Sequence, residues 1–446
     1  MHTLDALRAG ELIGIKRLDL AADLTVFPQE IFQLADSLEV LNLSGNLLSD
    51  LPQDLTRLRK LRIIFCSDNR FTHVPEVLGQ CANLEMIGFK ANQINHLAGK
   101  ALPPKLRWLI LTDNRLQQLP AEIGACTNLQ KLMLSGNRLQ ELPDEMAACT
   151  RLELLRIAAN HFESLPDWLL GLPRLAWLAY AGNPFSAAIE TEVMQGHTVK
   201  HIDWRALDVQ HVLGEGASGI IYRAHRTTER GVHPVAVKVF KGTVTSDGLP
   251  RSEKSACMVA GEHPNLIPVH GRLHGHPEDS IGMVMPLISP SFKNLAGPPS
   301  LESCTRDIYA PDTRFSLDQV MSLALGIASA AAHMHAQGVM HGDLYAHNIL
   351  WNAKGECLLG DFGAASFLPT HDEISRQRLQ RIEVRALGCL LEELLERCDV
   401  SPNEQAIAGA LYALQQRCVQ SLNEARPLFK EIVDELGRLV ASMMPS

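Results

Sequence analysis

An internal period of 23 residues in the first half restricts this chain more than any other feature. The nine-residue stretch Leu38-Glu39-Val40-Leu41-Asn42-Leu43-Ser44-Gly45-Asn46 has apolar residues at positions 1, 4 and 6 and Asn at position 9. The pattern returns from Leu61, Leu84, Leu106, Leu129, Leu152 and Leu175, with one step of 22. An imperfect copy at Ile15, Leu18, Leu20 and Asp23 makes eight. Apolar residues two apart share one face of a short strand, and the Asn can satisfy backbone groups left unpaired by the turn that follows. A unit this short cannot bury a core alone, so the copies must stack into a curved solenoid. That accounts for 39 Leu in residues 1–200 against 28 in the remaining 246. Cys81, Cys126 and Cys149 fall at the phase held elsewhere by Leu58 and Leu172, so they read as core hydrophobes rather than redox or metal groups.

The second half of five units reads Leu-Pro or Val-Pro, at Leu51-Pro52, Val74-Pro75, Leu119-Pro120, Leu142-Pro143 and Leu165-Pro166. With the strand pattern, this resembles the leucine-rich-repeat family over residues 15–186, behind a short cap at 1–14. The resemblance implies that function lies on the exposed, concave strand face and that the partner is a protein. Positions two, four and six after each repeat start carry Val40, Ile63, Phe65, Met86, Trp108, Ile110, Met133, Leu154 and Trp177, an unusually apolar set for a face meeting water. Phe65, Met86, Trp108, Ile110, Met133, Leu154 and Trp177 are the expected partner-binding residues, with docking of the chain's own second half as the alternative occupant.

After a closing turn and linker expected over 187–206, the chemistry changes. Gly214, Gly216 and Gly219 form a G-x-G-x-x-G loop, which alone is weak evidence. It is followed by the alternating run Val235-Ala236-Val237-Lys238, then His341-Gly342-Asp343-Leu344-Tyr345-Ala346-His347-Asn348, then Asp361-Phe362-Gly363. Four motifs in this order resemble the protein kinase family over 207–440. The resemblance implies ATP and Mg²⁺ as cofactors. The glycines would let backbone amides approach phosphates, Lys238 would add charge there, and Glu253 would hold Lys238 in preference to Glu262. Asp343 would accept the hydroxyl proton, Asn348 and Asp361 would hold Mg²⁺, and Met285 and Leu287 would line the adenine pocket beside Pro286. The fold class expected is α/β: a horseshoe-shaped solenoid followed by a bilobal α+β kinase-like domain.

The chain departs from the family pattern in four ways. Gly342 replaces the Arg that precedes the catalytic Asp, so no cation is available there for a phosphorylated activation loop. Tyr345 and His347 stand where the two substrate-class markers belong. Only 22 residues separate Asp361 from Glu383, the Ala-Pro-Glu element is missing, and Glu383 and Arg385 replace Asp and Trp. Glu373 is left as the substitute partner for Arg426. The loop tip at Ala217 and Ser218 lacks an aromatic residue, while Ser366, Thr370 and Ser375 are hydroxyls open to autophosphorylation.

These features point to a protein kinase, serine/threonine in type, whose repeats recruit a partner or substrate. The alternatives are an ATP-binding scaffold without transfer and a small-molecule kinase. With 41 Lys and Arg against 50 Asp and Glu, net charge −9, nucleic-acid binding has no electrostatic support. Residues 320–342 carry no Asp, Glu, Lys or Arg, but Ser322, Ser329, His333, His335, Gln337 and His341 mark a buried helix rather than a membrane span. Met1 to Gly14 has no basic start followed by an apolar run, so a cytoplasmic location is expected.

Overall fold

A computed structural model describes residues 2–196, 200–216, 218–242, 244–245 and 247–443, so Ala217 lies outside the described residues. The chain divides into two compact units, Met1–Leu172 and Pro173–Ser446.

In the first unit, helix α1 (Leu4–Arg8) starts where Thr3 Oγ1 accepts from Ala6 N at 3.2 Å. Seven three-residue strands follow: β1 (Arg17–Asp19), β2 (Val40–Asn42), β3 (Ile63–Phe65), β4 (Met86–Gly88), β5 (Trp108–Ile110), β6 (Lys131–Met133) and β7 (Leu154–Arg156). They pair in parallel and in sequence order, in register from Val40 and Ile63 through Met86, Trp108 and Lys131 to Leu154. The middle residue of each strand points inward, and Leu18, Leu41, Ile64, Ile87, Leu109, Leu132 and Leu155 are fully buried. Pro52, Pro75, Pro120 and Pro143 each precede a 3₁₀ turn, where a missing N–H and a fixed φ cost nothing. Unit 1 ends with the short helix α2 (Asp167–Leu170).

The Asn column stitches one repeat to the next. Asn137 Nδ2 donates to Leu111 O at 2.8 Å and Leu134 O at 2.9 Å, while its Oδ1 accepts from Leu116 N at 3.0 Å. Just before each Asn the backbone turns left-handed, at Gly45, Asp68, Ala91, Asp113, Gly136 and Ala159, with φ between +52° and +73°. Cys81, Cys126 and Cys149 are buried in the return segments, and burial pushes each thiol up to about 11.

The second unit begins with strand β8 (Trp177–Ala179) and helix α3 (Pro184–Met194). Proline at its first position and Ser186 Oγ accepting from Asn183 N at 3.2 Å start α3. Strand β9 (His201–Asp203) lies parallel to β13 (Gly271–His274), so within the stretch expected as a linker the end of α3 and strand β9 are regular structure among the described residues. The remaining strands are β10 (Leu207–Glu215), β11 (Gly219–Thr228), β12 (Gly231–Phe240) and β14 (Gly282–Pro286), giving the order β10-β11-β12-β14-β13-β9. Ile202, Leu207, Ala224, Val235, Val237, Leu273 and Val284 form the core on one face of this sheet. Helix α4 (Pro250–Ala260) connects β12 to β13.

Beyond Pro286 the unit is mainly helical: α5 (Leu317–Ala336), α6 (Glu373–Leu395), α7 (Gln405–Cys418) and α8 (Phe429–Met443). The uncharged stretch read as a buried helix is largely α5, which Ser316 and Gln319 start as a capping box and Gly338 follows at φ +79°. No helix among the described residues is long and apolar enough to cross a membrane.

Candidate active site

Strand alternation decides which side chains reach the site. Val235 and Val237 point into the sheet core, so Ala236 and Lys238 point the other way, into a cavity of about 620 Å³. Met285 and Leu287 line the same cavity from the end of β14, which stops at Pro286. Gly216 and Gly219 border it from the turn between β10 and β11, where Gly216 N donates to Gly219 O at 2.9 Å. A side chain at Gly219 would come within 2.5 Å of Val239 O, whereas Gly214 faces open space.

Lys238 Nζ donates to Glu253 Oε1 in a buried ion pair, and Asp361 Oδ1 stands 3.8 Å from the same nitrogen. Burial raises the Glu253 carboxyl to about 7, with Asp361 adding to the rise, against the pull of Lys238. The Lys238 ammonium lies above its usual range: burial opposes its charge, but Glu253 and Asp361 outweigh that. Asp361 is half exposed and held at φ +55°, with Gly363 N donating to its Oδ1 at 3.2 Å.

On the other side, Asn348 Nδ2 donates to Asp343 O at 2.9 Å and to Asp343 Oδ2 at 2.8 Å. The loop that carries them is anchored from α6. Glu383 is fully buried and accepts from Gly342 N at 2.7 Å, His341 N at 3.3 Å and His335 Nε2 at 2.7 Å. Burial alone would raise its carboxyl, but these donors hold it below the usual carboxylate range. His347 is packed: its ring Nδ1 meets Asp307 Oδ1 at 2.8 Å and its backbone N–H donates to Asp307 Oδ2 at 3.0 Å. Burial opposes the imidazolium charge, yet Asp307 and Asp343 leave its pKa raised. Asp307 had no signal in the sequence, being a single acid 40 residues upstream of its partner.

Two expectations are corrected. Arg426 does not pair with Glu373; it donates to the carbonyls of Gln420, Arg381 and Pro173 at 2.8, 3.1 and 3.0 Å. Burial, with Arg385 nearby, pulls its pKa down to about 10. Three backbone acceptors take the guanidinium's hydrogen bonds, and Glu424 acts on it only through its charge. Ser366 is fully buried, accepts from Tyr180 N at 3.1 Å and is no free acceptor hydroxyl.

Of the expected partner-binding residues, Phe65, Trp108, Ile110 and Met133 are half-buried, and Met86 and Leu154 are buried. Along this face Lys131 Nζ lies 4.3 Å above the Trp108 ring, whose Nε1 meets Met133 Sδ at 3.4 Å. Trp177 is 1% exposed, stacked on Tyr345. It is thus packed inside the second unit.

Comparison with known proteins finds matches in both halves of the chain. The protein tyrosine and serine/threonine kinase family matches residues 207–392, and leucine-rich-repeat families match 37–58, 104–162 and 127–185. The chain therefore carries N-terminal leucine-rich repeats and a C-terminal protein kinase domain. Serine/threonine-protein kinase PITSLRE of Drosophila melanogaster is 28% identical over 215 residues, covering 43% of this chain and 21% of that protein. Cyclin-dependent kinase 10 of Homo sapiens is 26% identical over 215 residues, covering 44% of this chain and 56% of that protein. The chain thus spans well under two thirds of either relative. Among solved structures, a leucine-rich-repeat protein of Leptospira interrogans is 29% identical with a TM-score of 0.37, covering 41% of this chain and 47% of that one.

Proposed function

We propose that the chain transfers the γ-phosphoryl group of ATP to a protein hydroxyl, Ser or Thr, and that the concave repeat face recruits the protein concerned. The observation that carries this reading is the buried Lys238–Glu253 pair with Asp361 at 3.8 Å, across one cavity from the adenine-pocket residues Met285 and Leu287. Lys238, fixed by Glu253, presents an ammonium to the phosphates, and the glycine turn presents backbone amides. Met285 and Leu287 supply the apolar wall for a base. Asp343, oriented by Asn348, is the acceptor for the proton of the incoming hydroxyl. The oxygen donors of Asn348 and Asp361 suit Mg²⁺, a hard cation that neutralises phosphate charge when bound.

The test uses the full chain with γ-labelled ATP and Mg²⁺. Transfer to protein that Asp343→Asn lowers by about 10³-fold, with ATP binding retained, supports the reading. ATP binding without transfer in the wild type sinks it and leaves the scaffold. Transfer to a small hydroxyl compound but to no protein points to a small-molecule kinase. For the repeat face, Trp108→Arg should abolish capture of the phosphorylated protein without changing ATP hydrolysis. Unchanged capture would remove that face from the proposal.

A further inference from the structure

The segment Pro173–Met194 touches three parts of the kinase machinery within its own compact unit. Trp177 Nε1 donates to Leu344 O at 3.0 Å, one residue past Asp343, and its ring lies parallel to Tyr345 at 4.1 Å and 8°. Tyr180 donates from its backbone N to Ser366 Oγ at 3.1 Å and from its hydroxyl to Phe367 O at 2.9 Å, both in the segment after Asp361. From α3, Glu190 Oε2 accepts from Ser252 Oγ at 3.0 Å on α4, one residue before Glu253.

Gly342 shows how closely the strand approaches. Its φ is +74°, and a side chain there would come within 2.5 Å of Ala364 O and 2.8 Å of Leu178 O. The backbones of Ala364 and of β8 together fill the space that the side chain of any other residue at 342 would need. A cation at that position is therefore excluded by packing.

We infer that Pro173–Met194 is a built-in brace, in which Trp177 holds the Asp343 loop and Glu190 holds α4, so that the site is set without a phosphorylated activation segment. The brace acts through other groups, so Trp177 and Glu190 are positioning residues. Its catalytic consequence rests on the phosphotransferase reading, whereas its effect on loop order does not.

The test compares full-length wild type, Trp177→Phe and Glu190→Ala. Phe keeps an aromatic ring against Tyr345 and loses the N–H together with part of the indole's buried volume, a change mild enough that the variant is expected to fold. Trp177→Phe should speed amide exchange in 340–348 and lower kcat about fivefold, with KM for ATP within twofold. Glu190→Ala should act on the other side, speeding exchange in 250–260 and raising KM for ATP about threefold. Exchange and kinetics unchanged in both variants would overturn the brace. So would faster exchange throughout the unit with kcat and KM per folded molecule unaltered, since that is what a purely structural contact predicts. A wild type that binds ATP but transfers nothing defeats the proposed function alone, because localised exchange at 340–348 and 250–260 still decides the brace.

Discussion

Glu383 accepts from the backbone N–H of Gly342 at 2.7 Å while its other oxygen meets His335 at 2.7 Å, so one buried carboxylate ties helix α6 to the loop before Asp343. Glu383→Ala leaves His335 and two backbone amides without that acceptor. Breaking a buried pair of this kind costs about 3–5 kcal/mol, read as a fall in the midpoint of denaturant unfolding. The carboxyl lies below its usual value, so its contribution to stability is present above about pH 4.5 and is lost as pH falls through the folded value. A Glu383→Ala protein as stable as wild type would refute this.

The Lys238–Glu253 pair predicts a pH limb in nucleotide binding. Glu253 titrates at about 7, so acidification through neutrality discharges it and releases Lys238. Affinity for ATP should fall between pH 8 and pH 6, measured by calorimetry. Glu253→Gln should bind more weakly at pH 8 and show a flat profile over the same range.

His347 runs the opposite way. Its pKa is raised, so the pairing with Asp307 is fully present below about pH 6.5 and is lost as pH rises through the folded value. Asp307→Asn should lower the titration midpoint of His347, followed by NMR. An unchanged midpoint would mean that Asp307 does not hold the charge.

In the solenoid, Asn137→Ala removes three buried hydrogen bonds; Leu111 O keeps Asn114 Nδ2 and Leu134 O keeps Asn160 Nδ2, so the group stripped of its partner is the Leu116 N–H. The expected cost is about 2–4 kcal/mol, checked by thermal unfolding. Leu109→Ala, in the fully buried inward column, should cost about 2–5 kcal/mol through the cavity it leaves.

The solenoid and its inward Leu columns were legible because a 23-residue period repeats one local solution. Lys238 was legible for a similar reason, since alternation along Val235–Lys238 assigns opposite faces. The left-handed residue before each Asn was not, because Asp68, Ala91, Asp113 and Ala159 carry none of glycine's signal for that conformation. Asp307 and His347 were not, because nothing periodic links residues 40 apart. Arg426 misled because carbonyl groups leave no mark on a sequence, and a search for its partner finds only acids.

The place where the chain divides, between Leu172 and Pro173, bears on how its halves can be produced separately. A fragment begun at residue 207 would discard β9 and expose the edge of β13. It would also strip Leu344 O and Tyr345 of Trp177, and Arg426 of Pro173 O. Loss of activity in such a fragment would report a cut through a folding unit rather than removal of a recruiting domain. A fragment begun at residue 173 keeps those contacts, and its behaviour can be assigned to the missing repeats.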